Sequence, residues 1–311
     1  MRPLPRHALV TGGAGFVGHG VVCALRRAGA AVTVLDPAPA HPLWPQGVRH
    51  LRGDLRQPEV LRRAAEGCDL IFHVAGSWDG RPGGDARMRT LNVGGTEAVL
   101  GLGLPVVYTS SSITCGFGSR DRPGREDEPS EAPRTAIAGT GRVYRETKLA
   151  AEQRVCAVGG WLVNPDYVIG AGDVAGVVTR PLLRAARLPL ICAPRGGKSF
   201  VSVADTGEAH LLAWRHGAPG RRYLIGSENL SYAEIFQRIA AAAGRRPLIV
   251  GLPRTVAPIL RRLPRLRPLG AALEQMGLQR YRSSTRARSE LRWQPAPLDQ
   301  AIEEMLRFAQ P

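Results

Sequence analysis

The first half of the chain alternates between short apolar runs and amphipathic segments. Runs such as "HALV" (7–10) and "AVTVLD" (31–36) have the length and β-branched content of buried strands. Segments such as "VVCALRRAG" (21–29) and "GRVYRETKLAAEQRVCA" (141–157) carry apolar residues at helical spacing. Repeated strand–helix units predict an α/β fold with a doubly wound parallel sheet, in which ligands bind at the carboxyl ends of the strands.

The pattern changes after the apolar run that begins at Trp161. Segments such as "VVTRPLLRAARLPLIC" and "LSYAEIFQRIAAAAG" predict a smaller C-terminal lobe that binds the substrate. We expect the first lobe to comprise residues 1–164 plus about 199–227. The second lobe then comprises about 165–198 and 228–311.

Three glycines follow the first predicted strand in "TGGAGFVG" (11–18). Gly12 permits a sharp turn, Gly15 lets backbone amides approach a pyrophosphate, and Gly18 lets the following helix press against the strand. Such a trio also occurs in merely flexible loops, but here the next strand ends at Asp36, where a carboxylate can bind the adenosine ribose. The 2′-phosphate of NADP would need an Arg at this point, but prolines and an alanine follow Asp36. The sequence therefore favours NAD over NADP. The alternative for Asp36 is a turn cap.

Composition narrows the function classes. The formal net charge is +16, but the arginines are spread along the chain and aromatic residues make up only 5%, which argues against nucleic-acid binding. Five scattered cysteines without a C-x-x-C pair indicate neither a metal site nor a disulfide framework. No apolar stretch approaches a membrane span and no signal-peptide core develops, so we expect a cytoplasmic protein.

The densest basic segment is "PRTVAPILRRLPRLRPLG" (253–270), in which arginines interleave with leucines and prolines. Its prolines prevent one long helix. We interpret it as the solvated rim of a substrate lid, with peripheral contact to anionic lipid as the alternative.

Lysine is rare in this chain, which has 42 basic residues but only Lys148 and Lys198 as lysines. Tyr144 and Lys148 stand four residues apart on a predicted helix and therefore share a face. A nearby ammonium stabilises a phenolate, so this pair suits proton exchange near neutral pH. Lys198, in "RGGKSF", is predicted to lie in a loop. An ordinary helix-surface pair is the alternative for Tyr144 and Lys148.

With these motifs in order, the chain resembles the extended short-chain dehydrogenases/reductases, which include nucleotide-sugar epimerases, dihydroflavonol reductases and 3β-hydroxysteroid dehydrogenases. The matching motifs are "TGGAGFVG", "GDL" (53–55), "HVAG" (73–76), "NVGGT" (92–96), "YTSSS" (108–112), "YRETK" (144–148) and "NPDYVIGAGD" (164–173). They span the first 173 residues, and "FVSVADTGEAH" (200–210) extends the likeness.

The resemblance implies roles for individual residues. Tyr144 would be the general acid/base, Lys148 would orient the cofactor ribose and lower the Tyr144 pKa, and Ser111 would donate to the substrate oxygen. The residues implied at the cofactor are Gly12, Gly15, Phe16, Val17, Asp36, Asp54, Leu55, Ala75, Gly76, Asn92, Tyr144, Lys148, Pro165 and Val168. The family also implies a homodimer.

Two departures from the family pattern bear on the reaction. Thr114 to Phe117 replaces the Val-Tyr-Gly of many sugar-modifying relatives, and Ser112 and Ile113 stand where a dehydratase would have an acidic pair. We therefore expect an NAD-dependent dehydrogenase or reductase acting on a secondary alcohol or ketone of a hydrophobic, polyketide-like or steroid-like substrate. A nucleotide-sugar epimerase with tightly held NAD is the main alternative, and an NAD-binding pseudoenzyme a minor one.

Overall fold

The computed structural model of the protein describes residues 1–81, 83–128, 140–253 and 255–309. Its largest element is a seven-stranded sheet with the order β10-β6-β5-β4-β1-β2-β3, in which all neighbouring strands are parallel. The strands of the described residues are β1 (His7–Thr11), β2 (Ala31–Asp36), β3 (Val48–Arg52), β4 (Leu70–His73), β5 (Val106–Thr109), β6 (Trp161–Pro165), β7 (Tyr167–Ile169), β8 (Leu190–Pro194), β9 (Gly197–Ser202), β10 (Arg222–Ile225), β11 (Glu228–Ser231), β12 (Leu248–Leu252) and β13 (Gln279–Arg280).

Helices cover both faces of this sheet, which confirms the predicted doubly wound fold. The α-helices are α1 (Phe16–Arg27), α2 (Pro58–Ala65), α3 (Gly84–Arg89), α4 (Gly95–Leu100), α5 (Thr140–Ala157), α6 (Thr179–Ala186), α7 (Val203–His216), α8 (Tyr232–Ala242), α9 (Val256–Arg262), α10 (Arg267–Met276), α11 (Thr285–Glu290) and α12 (Leu298–Phe308). On one face, Val22 of α1 and Ala209 of α7 join a core with Val10. On the other, Leu61 of α2 and Val155 of α5 join a core with neighbouring strands. Strands buried on both faces explain the continuous apolar runs.

The second lobe has its own sheets and core. β9 pairs with antiparallel β11 along one edge and with parallel β13 and β7 along the other, while β8 and β12 form a separate parallel pair. Ile235 and Ile239 of α8 pack there with Ile302 and Met305 of α12. Helix α8 begins at a capping box, in which Ser231 and Glu234 each accept a backbone N–H of the other.

The chain passes between the two sheets at Pro165–Asp166, where β6 ends and β7 begins. It returns from β9 into α7. An ion pair, with 2.5 Å between Asp166 Oδ2 and the Arg282 guanidinium, joins the segment between β6 and β7 to the segment after β13. The predicted division assigned residues 199–202 to the first lobe, whereas all of β9 pairs within the second sheet. The division as a whole stays a prediction. Within the described residues, no helix is long and apolar enough to cross a membrane.

Helices α1 and α7 touch through their backbones, because each has a glycine at the contact. A Cβ on Gly207 would lie 2.1 Å from the Gly20 carbonyl oxygen. We therefore expect Gly207→Ala to lower the free energy of unfolding by about 1–3 kcal/mol through overpacking, measured by urea denaturation. Gly94→Ala is the control, since that glycine has helical dihedral angles and open space around it. The control should change stability by at most about 1 kcal/mol. Equal losses in both variants would contradict the close-contact argument.

Candidate functional site

The glycine turn between β1 and α1 is built by close backbone contacts. Gly12 has a φ of 72°, and a Cβ on it would lie 2.6 Å from the Ala75 backbone. A Cβ on Gly18 would lie 2.0 Å from the Gly12 carbonyl oxygen. Because Gly15 at the helix N-cap provides no side-chain hydrogen bond, the first amides of α1 are open to a ligand. The turn thus has the features of a site for a phosphate anion.

A cleft of about 570 Å³ runs along the carboxyl ends of the sheet strands, from the glycine turn to α5. The predicted residues that line it are Gly12, Gly15, Phe16, Val17, Asp36, Asp54, Leu55, Ala75, Gly76, Ser111, Tyr144, Lys148, Pro165 and Val168. Their roles stay proposals, but their convergence on one cleft with a phosphate-accepting turn fits a dinucleotide cofactor.

Asn92 is the one predicted cofactor residue that does not line the cleft. It lies in a π-helical turn, Thr90–Gly94, and is buried. Its Oδ1 accepts the Ser77 N–H at 2.7 Å, and its Nδ2 donates to the Ser77 carbonyl at 2.9 Å and to Thr147 Oγ1 at 3.1 Å. Asn92 therefore connects the loop after β4 to the helix turn that bears Lys148.

The end of the cleft near β2 and β3 contains acidic and basic groups from two segments. Asp36 is buried at the end of β2, where its carboxylate accepts the Ala14 and Ala38 N–H groups at 3.0 and 2.9 Å. Arg56 also lines the cleft, but its guanidinium pairs with Asp54 at 2.5 Å. These hydrogen bonds hold the pKa of Asp54 below its usual value. Reading only the residues after Asp36 missed this arginine, because it follows the next strand.

Ser111, Tyr144 and Lys148 meet at the other end of the cleft. Ser111 follows β5 and caps a 3-10 turn, Ser112–Thr114, while Tyr144 and Lys148 lie one turn apart on α5. Lys148 Nζ is buried, donates to the Thr109 carbonyl at 2.9 Å and lies 5.9 Å from the centre of the Tyr144 ring. A Cβ on Gly76 would come within 3.0 Å of Nζ, so this glycine leaves room for the ammonium.

Burial is the largest cause of the pKa shifts of Tyr144 and Lys148. It lowers the pKa of Lys148 to about 8, against the opposing effect of the Glu152 carboxylate. It raises the pKa of Tyr144, and interaction with Ser111 only partly offsets this. The lowered Tyr144 pKa that the family resemblance implies is therefore not produced by the residues of the chain alone, because desolvation of the phenolate outweighs the neighbouring groups.

Glu152 is a site residue that the sequence analysis missed. Its side chain is 1% exposed, and Oε1 accepts hydrogen bonds from Ser110, Thr114 and Asn164 at 2.5–2.8 Å. Oε2 pairs with Arg222 at 2.8 Å. The signal in the sequence was its spacing, since Glu152 lies four residues after Lys148 and thus on the same face of α5.

Lys198 does not lie in the predicted loop, and that prediction is wrong. It is a residue of β9, and its Nζ lies 5.0 Å from the centre of the Tyr167 ring, which lines the cleft. Burial lowers its pKa to about 8, while Asp166 opposes the shift. The pairing of β9 with three strands explains the difference, since none of these contacts is local in sequence. In the described part of the chain, no group of three His, Cys, Asp or Glu side chains could hold a metal ion.

Comparisons with known proteins agree with this geometry. Residues 8–226 match the family model described as the NAD-dependent epimerase/dehydratase family. The chain is 32% identical to a 3 beta-hydroxysteroid dehydrogenase/Delta 5→4-isomerase of Mycobacterium tuberculosis, over 96% of this chain and 89% of that protein. It is 30% identical to a 2-alkyl-3-oxoalkanoate reductase of Stenotrophomonas maltophilia, over 76% and 75% respectively.

A solved epimerase of Methanothermobacter thermautotrophicus shares the fold, with a TM-score of 0.77 and 22% identity over 97% of this chain and 91% of that one. The predicted family, enzyme class and cofactor are thereby confirmed. The chain belongs to the NAD-dependent epimerase/dehydratase family of extended short-chain dehydrogenases/reductases, and it is an NAD-dependent oxidoreductase.

Proposed function

We propose that the protein interconverts a secondary alcohol and a ketone, with Ser111, Tyr144 and Lys148 as its reacting and orienting groups. The observation that supports this most is the meeting of the three side chains at one end of the cleft that begins at the glycine turn. NAD, when bound, supplies the hydride acceptor or donor. The chain itself has to hold the substrate oxygen and move one proton.

Each residue has a distinct role in this proposal. The Ser111 hydroxyl donates a hydrogen bond to the substrate oxygen, and the Tyr144 hydroxyl exchanges the proton with it. The Lys148 ammonium donates one hydrogen bond to the Thr109 carbonyl, and its other N–H groups can donate to the cofactor ribose. Because burial raises the pKa of Tyr144, the phenol is protonated at neutral pH. That state favours the reduction of a ketone, in which Tyr144 is the proton donor.

We propose a hydrophobic substrate with a ring system or an alkyl chain. Large aromatic side chains line the same cleft as the proposed reacting groups, among them Trp78, which is 60% exposed, and Tyr167. The relatives named for hydroxysteroids and for alkyl-oxoalkanoates support the same class. Ser112 and Ile113 provide no acid–base pair for dehydration. A homodimer and a cytoplasmic location stay predictions.

A nucleotide-sugar epimerase remains the second candidate, because the matching family includes epimerases and the same three side chains would serve both reactions. Mass spectrometry of the protein as purified separates the two. Dinucleotide retained through dialysis supports an epimerase, which regenerates its cofactor in each cycle, whereas exchangeable NAD supports a dehydrogenase or reductase. A chain that binds NAD but turns over no substrate would be the pseudoenzyme.

The function is tested by following NADH consumption with a panel of 3-ketosteroids, cyclic ketones and 3-oxo acids. With any substrate found, Tyr144→Phe should lower turnover by at least about 10²-fold and leave NADH binding nearly unchanged, because the proton is moved only in the transition state. Tyr167→Phe is the matched control. It should leave turnover nearly unchanged, since the Tyr167 hydroxyl donates to the Val178 carbonyl at 3.3 Å and has no role in the proposed proton transfer. Turnover of Tyr144→Phe within tenfold of the parent would exclude Tyr144 as the proton donor.

Glu152→Gln tests how the buried carboxylate controls Lys148. Glu152 raises the pKa of Lys148, so its neutralisation should lower that pKa further below the value of about 8. Activity that needs the ammonium is then lost at lower pH. We expect the basic limb of the kcat/KM profile to move down, with about fivefold less activity at pH 8 for a downward shift of one pH unit from a pKa of about 8, and little change at pH 6.

Arg222→Gln is the control for this variant. It breaks the same buried ion pair but keeps the Glu152 charge, so it should destabilise the fold without moving the basic limb downward. A downward shift in both variants would mean that general loosening of the site, and not the charge of Glu152, sets the profile.

The preference for NAD over NADP is tested at Asp36. A 2′-phosphate would meet the buried Asp36 carboxylate, and Arg56 is already paired with Asp54. We expect fluorescence titration to show at least tenfold tighter binding of NADH than of NADPH, or about 1.4 kcal/mol. Asp36→Asn should narrow this ratio, while Arg56→Gln should not widen it. Equal affinities in the parent protein would refute the role given to Asp36.

A further inference from the structure

One surface of the second lobe exposes large apolar side chains on a small sheet. In the parallel pair of β8 and β12, Leu190 is opposite Leu248, and the two are 48% and 66% exposed. Val250, two residues further along β12, is 45% exposed. A two-stranded sheet is only marginally stable by itself, and exposed apolar side chains on it usually mark an interaction site.

The corner between α9 and α10 adds a second apolar group. Ile259, Leu263, Leu266 and Leu269 are 39–56% exposed. The corner adjoins the small sheet, because Pro194 of β8, Leu252 of β12, Ala257 of α9 and Leu273 of α10 line one pocket of about 370 Å³. We call the small sheet and this corner together the basic apolar face.

Part of the positive charge on this face has no acidic partner among the described residues. Between Glu234 and Glu274 the sequence contains eight arginines and no acidic residue, and Arg238 among them pairs with Glu228 of β11. Arg261 pairs with Glu274 at 2.5 Å, but Arg262, Arg265 and Arg267 are exposed and have no ion-pair partner among the described residues. Leucines and unpaired arginines therefore alternate along one exposed turn.

The geometry argues against the two other uses of such a face. None of the described residues of 253–270 lines the cofactor cleft, so the lid predicted from the sequence receives no support. A second copy of the chain related by a two-fold axis would place this face against itself. The unpaired arginines would then face one another in a partly dehydrated interface, which is unfavourable.

We propose that the basic apolar face binds the surface of an anionic lipid bilayer. The leucines of the α9–α10 corner and of the small sheet enter the boundary between headgroups and acyl chains, and the arginines contact lipid phosphates. Because α9 ends at Arg262 and α10 begins at Arg267, these side chains do not lie on one long helix. This inference does not depend on the proposed reaction.

Co-sedimentation of the full chain with vesicles tests the proposal. We expect binding to vesicles of phosphatidylglycerol and phosphatidylcholine in equal parts, at least tenfold weaker binding to phosphatidylcholine alone, and weakening by salt. The triple variant Arg262→Gln/Arg265→Gln/Arg267→Gln should bind the mixed vesicles at least tenfold more weakly. Leu263→Asn/Leu266→Asn should also lose binding although it keeps every charge.

The matched control removes the same charge elsewhere. Arg27, Arg49 and Arg63 are exposed on the first lobe and also have no ion-pair partner in the described residues, so their triple change to Gln should leave vesicle binding nearly intact. An equal loss in this control would mean that only the net charge drives binding, and would overturn the proposal. Absence of binding to the mixed vesicles would overturn it too. So would a dimer, seen by analytical ultracentrifugation, that the leucine variant dissociates.

Discussion

The proposed reaction centre depends on a carboxylate that has been removed from water. An unpaired buried carboxylate costs several kcal/mol, and Glu152 avoids this only if every neighbouring donor stays in place. Those donors come from the end of β5, the 3-10 turn, β6 and β10. The hydrogen bonds that satisfy Glu152 therefore also join α5, which bears Tyr144 and Lys148, to the segment around Ser111.

The buried lysine explains why such a network is useful. Lys148 loses hydration at the base of the cleft, and its remaining stabilisation comes from the Thr109 carbonyl and from the charge of Glu152 one helical turn away. Asn92 adds a second support through Thr147, the residue before Lys148. The proposed reacting groups are thus held from behind by buried polar contacts, while their open side faces the cleft. Preorganised groups of this kind need little rearrangement during a reaction.

The sequence was most informative where chemistry and local spacing coincide. Gly12 and Gly18 in the turn, and the spacing of four between Tyr144 and Lys148, are local features, and the structure places all of them on one cleft. Lys198 was misread because a strand such as β9 is defined by distant partners and not by its own residues. The partners of Glu152 lie up to 70 residues away in the chain. Long-range polar contacts leave no periodic pattern, so the spacing of four from Lys148 could indicate Glu152 itself but not the partners that hold it.

The scarcity of lysine gives the protein an intrinsic chemical probe. One of its two side-chain amines lines the cleft, and the other lies over Tyr167, which lines it too. Burial lowers the pKa of both to about 8, so at neutral pH a larger fraction is unprotonated and nucleophilic than for a surface lysine near ~10.4. A small acylating reagent that enters the cleft would meet one side-chain amine among the lining residues, that of Lys148. The extent of labelling would report whether the cleft is filled, without any engineered tag.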